Sequence, residues 1–306
     1  LEVGWCCVNY NGGLMFRKSL YLLGIIIPTL FFSSYANAEV DAEVAYILNT
    51  FSFLVCGFLV MWMAAGFLFL ESGLVTTRSV STIAAKNIGK FAIVSIVFYL
   101  FGYNLGYGVP EGGYLGFPSL WTDNTSIETG YSDASDWFFQ ALFVCATVSI
   151  VSGAVAERIK IWPFFVFAAI LGGFIYPIQM GWEWGGGWLD AIGFSDFAGS
   201  TLVHACGGSA ALAGVILLGP RLGRFTESGE PANMAPFAPS SIPLVTLGTF
   251  ILWMGWYGFN GGSQLALGSY EDATAMSQIF MNTQLAACGG CMAGAAITRL
   301  IGGKTD

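Results

Sequence analysis

Residues 195–221 read SDFAGSTLVHACGGSAALAGVILLGPR and hold the only histidine of the chain, His204. No Asp, Glu, Lys or Arg occurs from Phe197 to Gly219. A neutral imidazole offers one hydrogen-bond donor and one acceptor, so in apolar surroundings it can line a polar path or relay a proton. Polar groups buried so deeply are costly and usually functional; the alternative is a histidine bonded to a neighbouring helix for packing. Asp196 lies eight residues earlier, beside Ser195. Either can cap the first helical turn, and Asp196 can also shape a site. A regular helix would place His204 about 12 Å below Asp196 and roughly on the same side.

Aromatic residues share this chemistry. Phe139 and Phe143 are four apart, as are Phe259 and Ser263, so each pair occupies one helical face. Trp184 sits in the stretch GWEWGGGWLD. Such residues form either a site above the histidine or the aromatic belt common to membrane proteins. Other chemistries find little support. Ser209 is five residues after His204, on another face, and neither HExxH nor GxSxG occurs, which disfavours an intramembrane hydrolase. Cys288 and Cys291 have redox or zinc spacing, but no second pair accompanies them, and inert packing is favoured.

The elements that must position these residues are apolar helices. Of 306 residues, 55% are hydrophobic and 10% charged, with a mean hydropathy of +0.68. This is not the composition of a soluble globular protein. Uncharged or nearly uncharged runs cover 44–70, 91–110, 137–156, 161–182, 197–219, 231–270 and 273–298. A bilayer core needs roughly 20 apolar helical residues, so each run holds one span. Glycine pairs at Gly172–Gly173, Gly207–Gly208 and Gly289–Gly290 suit close helix approach in lipid. No basic run or glycine-rich phosphate loop invites a nucleic acid or nucleotide.

Charge placement orients the spans. Residues 15–38 combine a basic start (Arg17, Lys18), an apolar stretch and Ala36-Asn37-Ala38, the pattern of a cleaved secretory signal peptide. Residues 1–14 precede it and read as a non-native leader, leaving 39–306 as the membrane domain. With the mature N-terminus outside, inner loops hold Arg78, Lys86 and Lys90, then Arg158 and Lys160, then Arg221 and Arg224, and the tail Arg299 and Lys304. With Arg17 and Lys18 these are all 11 basic residues, as the positive-inside rule requires. Outer loops carry acids, including Asp133, Asp136, Glu183 and Asp190, which accounts for much of the net charge of −8.

Three stretches together carry a family resemblance: FFQALFVCATVSIVSGAVAERI, EWGGGWLDAIGFSDFAGSTLVHACGGSAALAGVILLGPR and WMGWYGFNGGSQ. From about residue 42 onward the chain resembles the ammonium transporter (Amt/Mep/Rh) family. The resemblance implies an all-α polytopic bundle of eleven spans, two inverted five-span repeats plus a last helix, here expected to be truncated after the seventh. The span carrying a second pore histidine would be missing. It implies an ammonium channel or transporter rather than an enzyme, with no cofactor or metal. Trp184, Phe143 and Ser263 match the ammonium recruitment site, and Phe139 the same aromatic vestibule. Phe143 and Phe259 match the stacked gate, His204 a pore histidine and Asp196 the acid supporting recruitment. A homotrimer in the inner or plasma membrane, in contact with lipid and with a cytoplasmic PII-type regulator, is implied as well. An ammonium sensor on the same scaffold, signalling through a further C-terminal domain, is the alternative.

Overall fold

The computed structural model describes residues 40–233 and 237–305. The leader and signal-peptide expectations at 1–14 and 15–38 fall outside the described residues. Seven helices long and apolar enough to cross a membrane follow in order: α1 Ala42–Leu74, α2 Thr77–Tyr107, α3 Asp133–Ala154, α4 Ile161–Gly181, α5 Ser200–Leu218, α6 Ile242–Gly262 and α7 Tyr270–Gly302. Among the described residues there is no strand, only an isolated bridge between Phe225 and Pro231. The seven expected spans are therefore present, in an all-α arrangement.

Helix α3 is the hub. It packs on α1, α2 and α5, while α1 also packs on α6, α2 on α4, and α6 on α7. Accordingly α3 buries Phe139, Phe143, Val144 and Val148, whereas Thr283 is the one fully buried side chain described in α7. The outward surfaces remain oily, with Leu217, Leu300 and Ile301 more than four-fifths exposed, as a lipid-facing surface requires.

Three helices contain a wider π turn, at Phe98–Gly102 in α2, Leu171–Ile175 in α4 and Ser200–Ala205 in α5. The α4 turn leads into Pro177, which has no N–H to give to the preceding turn. The α5 turn contains His204, and such turns recur at functional sites.

Two expectations are corrected. Lys86 and Lys90 are not loop residues: α2 starts at Thr77, and both lysines lie inside the bundle with 3% and 1% exposure. Glu71 of α1 makes this tolerable, its carboxylate lying 3.5 Å from Lys86 Nζ and 3.7 Å from Lys90 Nζ. Nor is the path from Asp196 to His204 one regular helix. Gly199 adopts φ +95°, a left-handed conformation that glycine tolerates best, and the helix begins only at Ser200.

Candidate functional site

Asp196 is the origin of the site. Its carboxylate accepts four backbone N–H bonds: Oδ1 from Gly199 (2.7 Å) and Ser200 (3.0 Å), Oδ2 from Thr201 (2.7 Å) and Leu202 (2.8 Å). The amides left orphaned by the start of α5 thus meet one buried carboxylate, which also favours the positive end of the helix dipole. Of the two capping candidates, Asp196 does the capping. Its backbone reaches outward too, because Trp184 Nε1 donates to Asp196 O at 2.7 Å. Glu183 Oε1 accepts the Asp196 N–H at 2.9 Å, and burial holds the Glu183 carboxyl above its ordinary pKa. Asp196 therefore fixes the histidine helix through its carboxylate and the tryptophan loop through its backbone carbonyl.

The aromatics form a chain of contacts. Phe139 and Phe143 meet at 4.7 Å between ring centroids, and Phe143 meets Trp184 edge-on at 5.8 Å. Phe143 and Phe259 stack at 3.9 Å with planes 27° apart. The Phe259 ring lies 5.8 Å from the His204 ring. Phe139, Phe143 and Phe259 are each 1% exposed, so they are not members of an interfacial belt. Gly262 admits this packing: a methyl group there would come within 2.6 Å of the Phe139 ring. Ser263 Oγ donates to Phe259 O at 2.8 Å and keeps its lone pairs free.

Two cavities lie near the stacked pair, one bordered by Phe143 and the other by His204, the neighbour of Phe259. An upper cavity of about 300 Å³, at the acidic end of the bundle, is lined by Phe139, Phe143, Trp184 and Ser263, together with Tyr103, Tyr107, Tyr131, Asp136 and Gln140. A lower one of about 390 Å³ is lined by His204, Trp256, Asn260, Asn282 and Thr283. Phe197 borders both. His204 lines this lower cavity, is exposed, and makes no side-chain hydrogen bond among the described residues. Ser209 lines a different groove, between α4 and α5, so no Ser–His pair forms.

All seven residues singled out in the sequence thus converge on one aromatic column. Asp136, Gln140 and the three tyrosines were missed as lining residues. A signal existed, since positions 136, 139, 140 and 143 share one face of α3. Asn260 and Thr283, joined by a 3.0 Å hydrogen bond, were also missed. They are uncharged polar residues within spans, which composition does not set apart.

Seven apolar helices carrying an aromatic column with two cavities beside it define a polytopic α-helical membrane protein. The chain belongs to the ammonium transporter family, whose sequence profile matches residues 51–306. It is 41% identical to a putative ammonium transporter of Synechocystis sp. over 288 residues, 92% of this chain and 64% of that one. It is 40% identical to the ammonium transporter Amt2 of Archaeoglobus fulgidus over 263 residues, 83% and 54% of the two chains. Among solved structures it resembles a Sensor Amt Protein, with TM-score 0.78 and 30% identity over 87% of this chain and 65% of that one. Candida albicans Mep2 follows at TM-score 0.71 and 27% identity, covering 90% and 59%. The chain therefore spans less than two thirds of these relatives' lengths.

Proposed function

We propose that the protein recruits ammonium in the upper cavity and conducts it as ammonia past Phe143 and Phe259 to His204. The observation that carries this reading is the stacked pair, with an aromatic chamber bordered by Phe143 and a histidine chamber bordered by His204, the neighbour of Phe259. An isolated ion in a dry pore costs tens of kcal/mol in the Born limit, and each π face returns only ~0.5–2 kcal/mol. Trp184, Phe139 and Phe143 can hold a cation at the rim, with Ser263 accepting an N–H, but cannot carry it inward. Ammonium has another route, because burial pulls the pKa of a lysine ammonium down by up to about 3–5 and acts alike on the free ion. It sheds a proton and passes as a neutral molecule, and His204 meets it with a donor or an acceptor. Potassium has no proton to shed and stays behind. Asp196 supports both ends by holding α5 and the Trp184 loop. We further infer that the protein works as a homotrimer in the inner or plasma membrane, with a PII-type protein as its cytoplasmic regulator.

The likeness to a Sensor Amt Protein favours a second reading, in which occupancy of the same site is a signal. Flux through the full-length protein in proteoliposomes separates the two. In a transporter, Trp184→Ala weakens half-saturation for methylammonium roughly tenfold, the worth of one cation–π contact. His204→Ala lowers the maximal rate or admits potassium. Unchanged uptake and unchanged potassium rejection in both variants would falsify the conduit mechanism. Ligand binding without flux in the wild type would favour the sensor.

A further inference from the structure

The upper cavity holds a carboxylate for which the aromatic recruitment site has no use. Asp136, in the first turn of α3, is 6% exposed and lines the cavity. Tyr103 Oη donates to its Oδ2 at 2.5 Å and Gln140 Nε2 to its Oδ1 at 3.3 Å. Among the described residues the ion pairs belong to Glu71 and Glu157, and no basic group lies within 4 Å of Asp136. A carboxylate has about four acceptor positions, so two remain open. A buried charge with no counter-charge is expensive unless a cation reaches it.

Its neighbours are short of donors in the same way. Gln140, also 6% exposed, spends its amide on Asp136 and leaves Oε1 buried with no partner. Tyr103 has committed its one proton to Asp136, and Ser263 its own to Phe259. What faces the space is therefore one carboxylate and several acceptors, with the Tyr107 and Tyr131 hydroxyls as the uncommitted donors among the described lining residues, beside the π faces of Phe139, Phe143 and Trp184. Such a chamber repels anions and suits a monovalent cation that donates hydrogen bonds. A single carboxylate is too little for a divalent ion, which takes several oxygen ligands.

We propose that Asp136 and Gln140 form a second cation subsite in the upper cavity, which holds an ammonium-type ion before it reaches Trp184 and Phe143. This inference rests on the reading of the cavity as the mouth of a conduit. The subsite need not reject alkali ions, because a carboxylate binds them too; discrimination falls to the step past the phenylalanines.

Two measurements on the full-length protein test it. Crystals equilibrated with thallium(I) are expected to show an anomalous peak at Asp136 and Gln140 that vanishes in Asp136→Asn. Asparagine keeps the shape and still accepts from Tyr103, so the fold is retained. In proteoliposomes, Asp136→Asn raises the half-saturation for methylammonium roughly three- to tenfold at an unchanged maximal rate, and Asp136→Glu restores it. No peak, a peak that survives in the asparagine variant, or an unaltered half-saturation overturns the subsite. If the wild type carries no methylammonium at all, the conduit reading fails, and the thallium peak alone decides the subsite.

Discussion

Asp196 shows how much one residue can organise. Four main-chain amides end on its carboxylate, and the carbonyl of the same residue holds the Trp184 indole. Replacing it with alanine strands four amides in a dry environment. Hydrogen bonds to a charged acceptor are worth about 1.5–3 kcal/mol, so Asp196→Ala is expected to cost about 3 kcal/mol or more. Thermal unfolding of the purified full-length protein reads this directly, and because alanine keeps the carbonyl that holds Trp184, half-saturation should change only as far as the main chain at 196 shifts. A variant as stable as wild type would show that water replaces the carboxylate. The cap was legible in sequence because an aspartate preceding an apolar run is a common start signal. The path below it was not. Gly199 at φ +95° and the π turn after it re-aim His204, and neither leaves a mark in hydropathy.

Helices α1, α2 and α3 are joined by a buried charge cluster near their basic ends. Glu71 takes a 2.7 Å hydrogen bond from Ser152 Oγ of α3 and lies beside both lysines of α2, while Lys86 Nζ donates to Ser152 O at 2.7 Å. Lys86 also stands 5.0 Å from the Phe164 ring centre and Lys90 5.5 Å from that of Phe67. Glu71→Gln keeps the volume but leaves two buried ammonium groups without a counter-ion. Breaking a buried pair costs about 3–5 kcal/mol, which should appear as a large drop in unfolding temperature in detergent. No change would mean that the lysines are neutral in the bundle. A hydropathy scan treats every lysine as solvated, which is why the second span looked as if it began at residue 91 rather than at Thr77. A second joint links the loops at this end. Glu157 accepts from the Thr76 amide at 2.9 Å and hydroxyl at 2.6 Å, and from Arg221 at 2.6 Å. Burial pushes its carboxyl up, but the bonds from Thr76, Arg221 and Ser79 outweigh this and hold it at about 2. A folded pKa below the ordinary 4.5 adds stability above that value, and the gain is lost as pH falls through about 2. The unfolding gap between wild type and Glu157→Gln should therefore be full at neutral pH and shrink as pH falls from about 4.5 towards 2. A gap that does not depend on pH would show that the joint is not ionic.

At the scale of the whole molecule, the basic residues are sorted to one end, where they outnumber Glu157, Glu227 and Glu230. Arg78, Arg158, Lys160, Arg221, Arg224, Arg299 and Lys304 lie at or beyond one set of helix ends, while Glu111, Asp123, Glu128, Asp133, Asp190, Glu271 and Asp272 lie at the other. Trp184, Asp136 and the upper cavity are at the acidic end. Under the proposed conduit, the orientation of the bundle decides which compartment supplies the solute. Basic loops resist translocation, so the acidic end should face outward. An outward mouth lined with acids also gathers cations before they lose water, and an inside-negative potential favours their entry from that side. This orientation is testable in intact cells with the full-length protein, after its own cysteines are replaced by serine. A single cysteine at Asp190 should react with a membrane-impermeant maleimide added outside. A cysteine at Arg224 should react only after the membrane is opened. The opposite pattern would invert the bundle, and the proposed recruiting chamber would then face the cytoplasm. Because Asp190 sits in the same loop as Trp184, the label reports on the side of the chamber itself, not merely on a distant terminus.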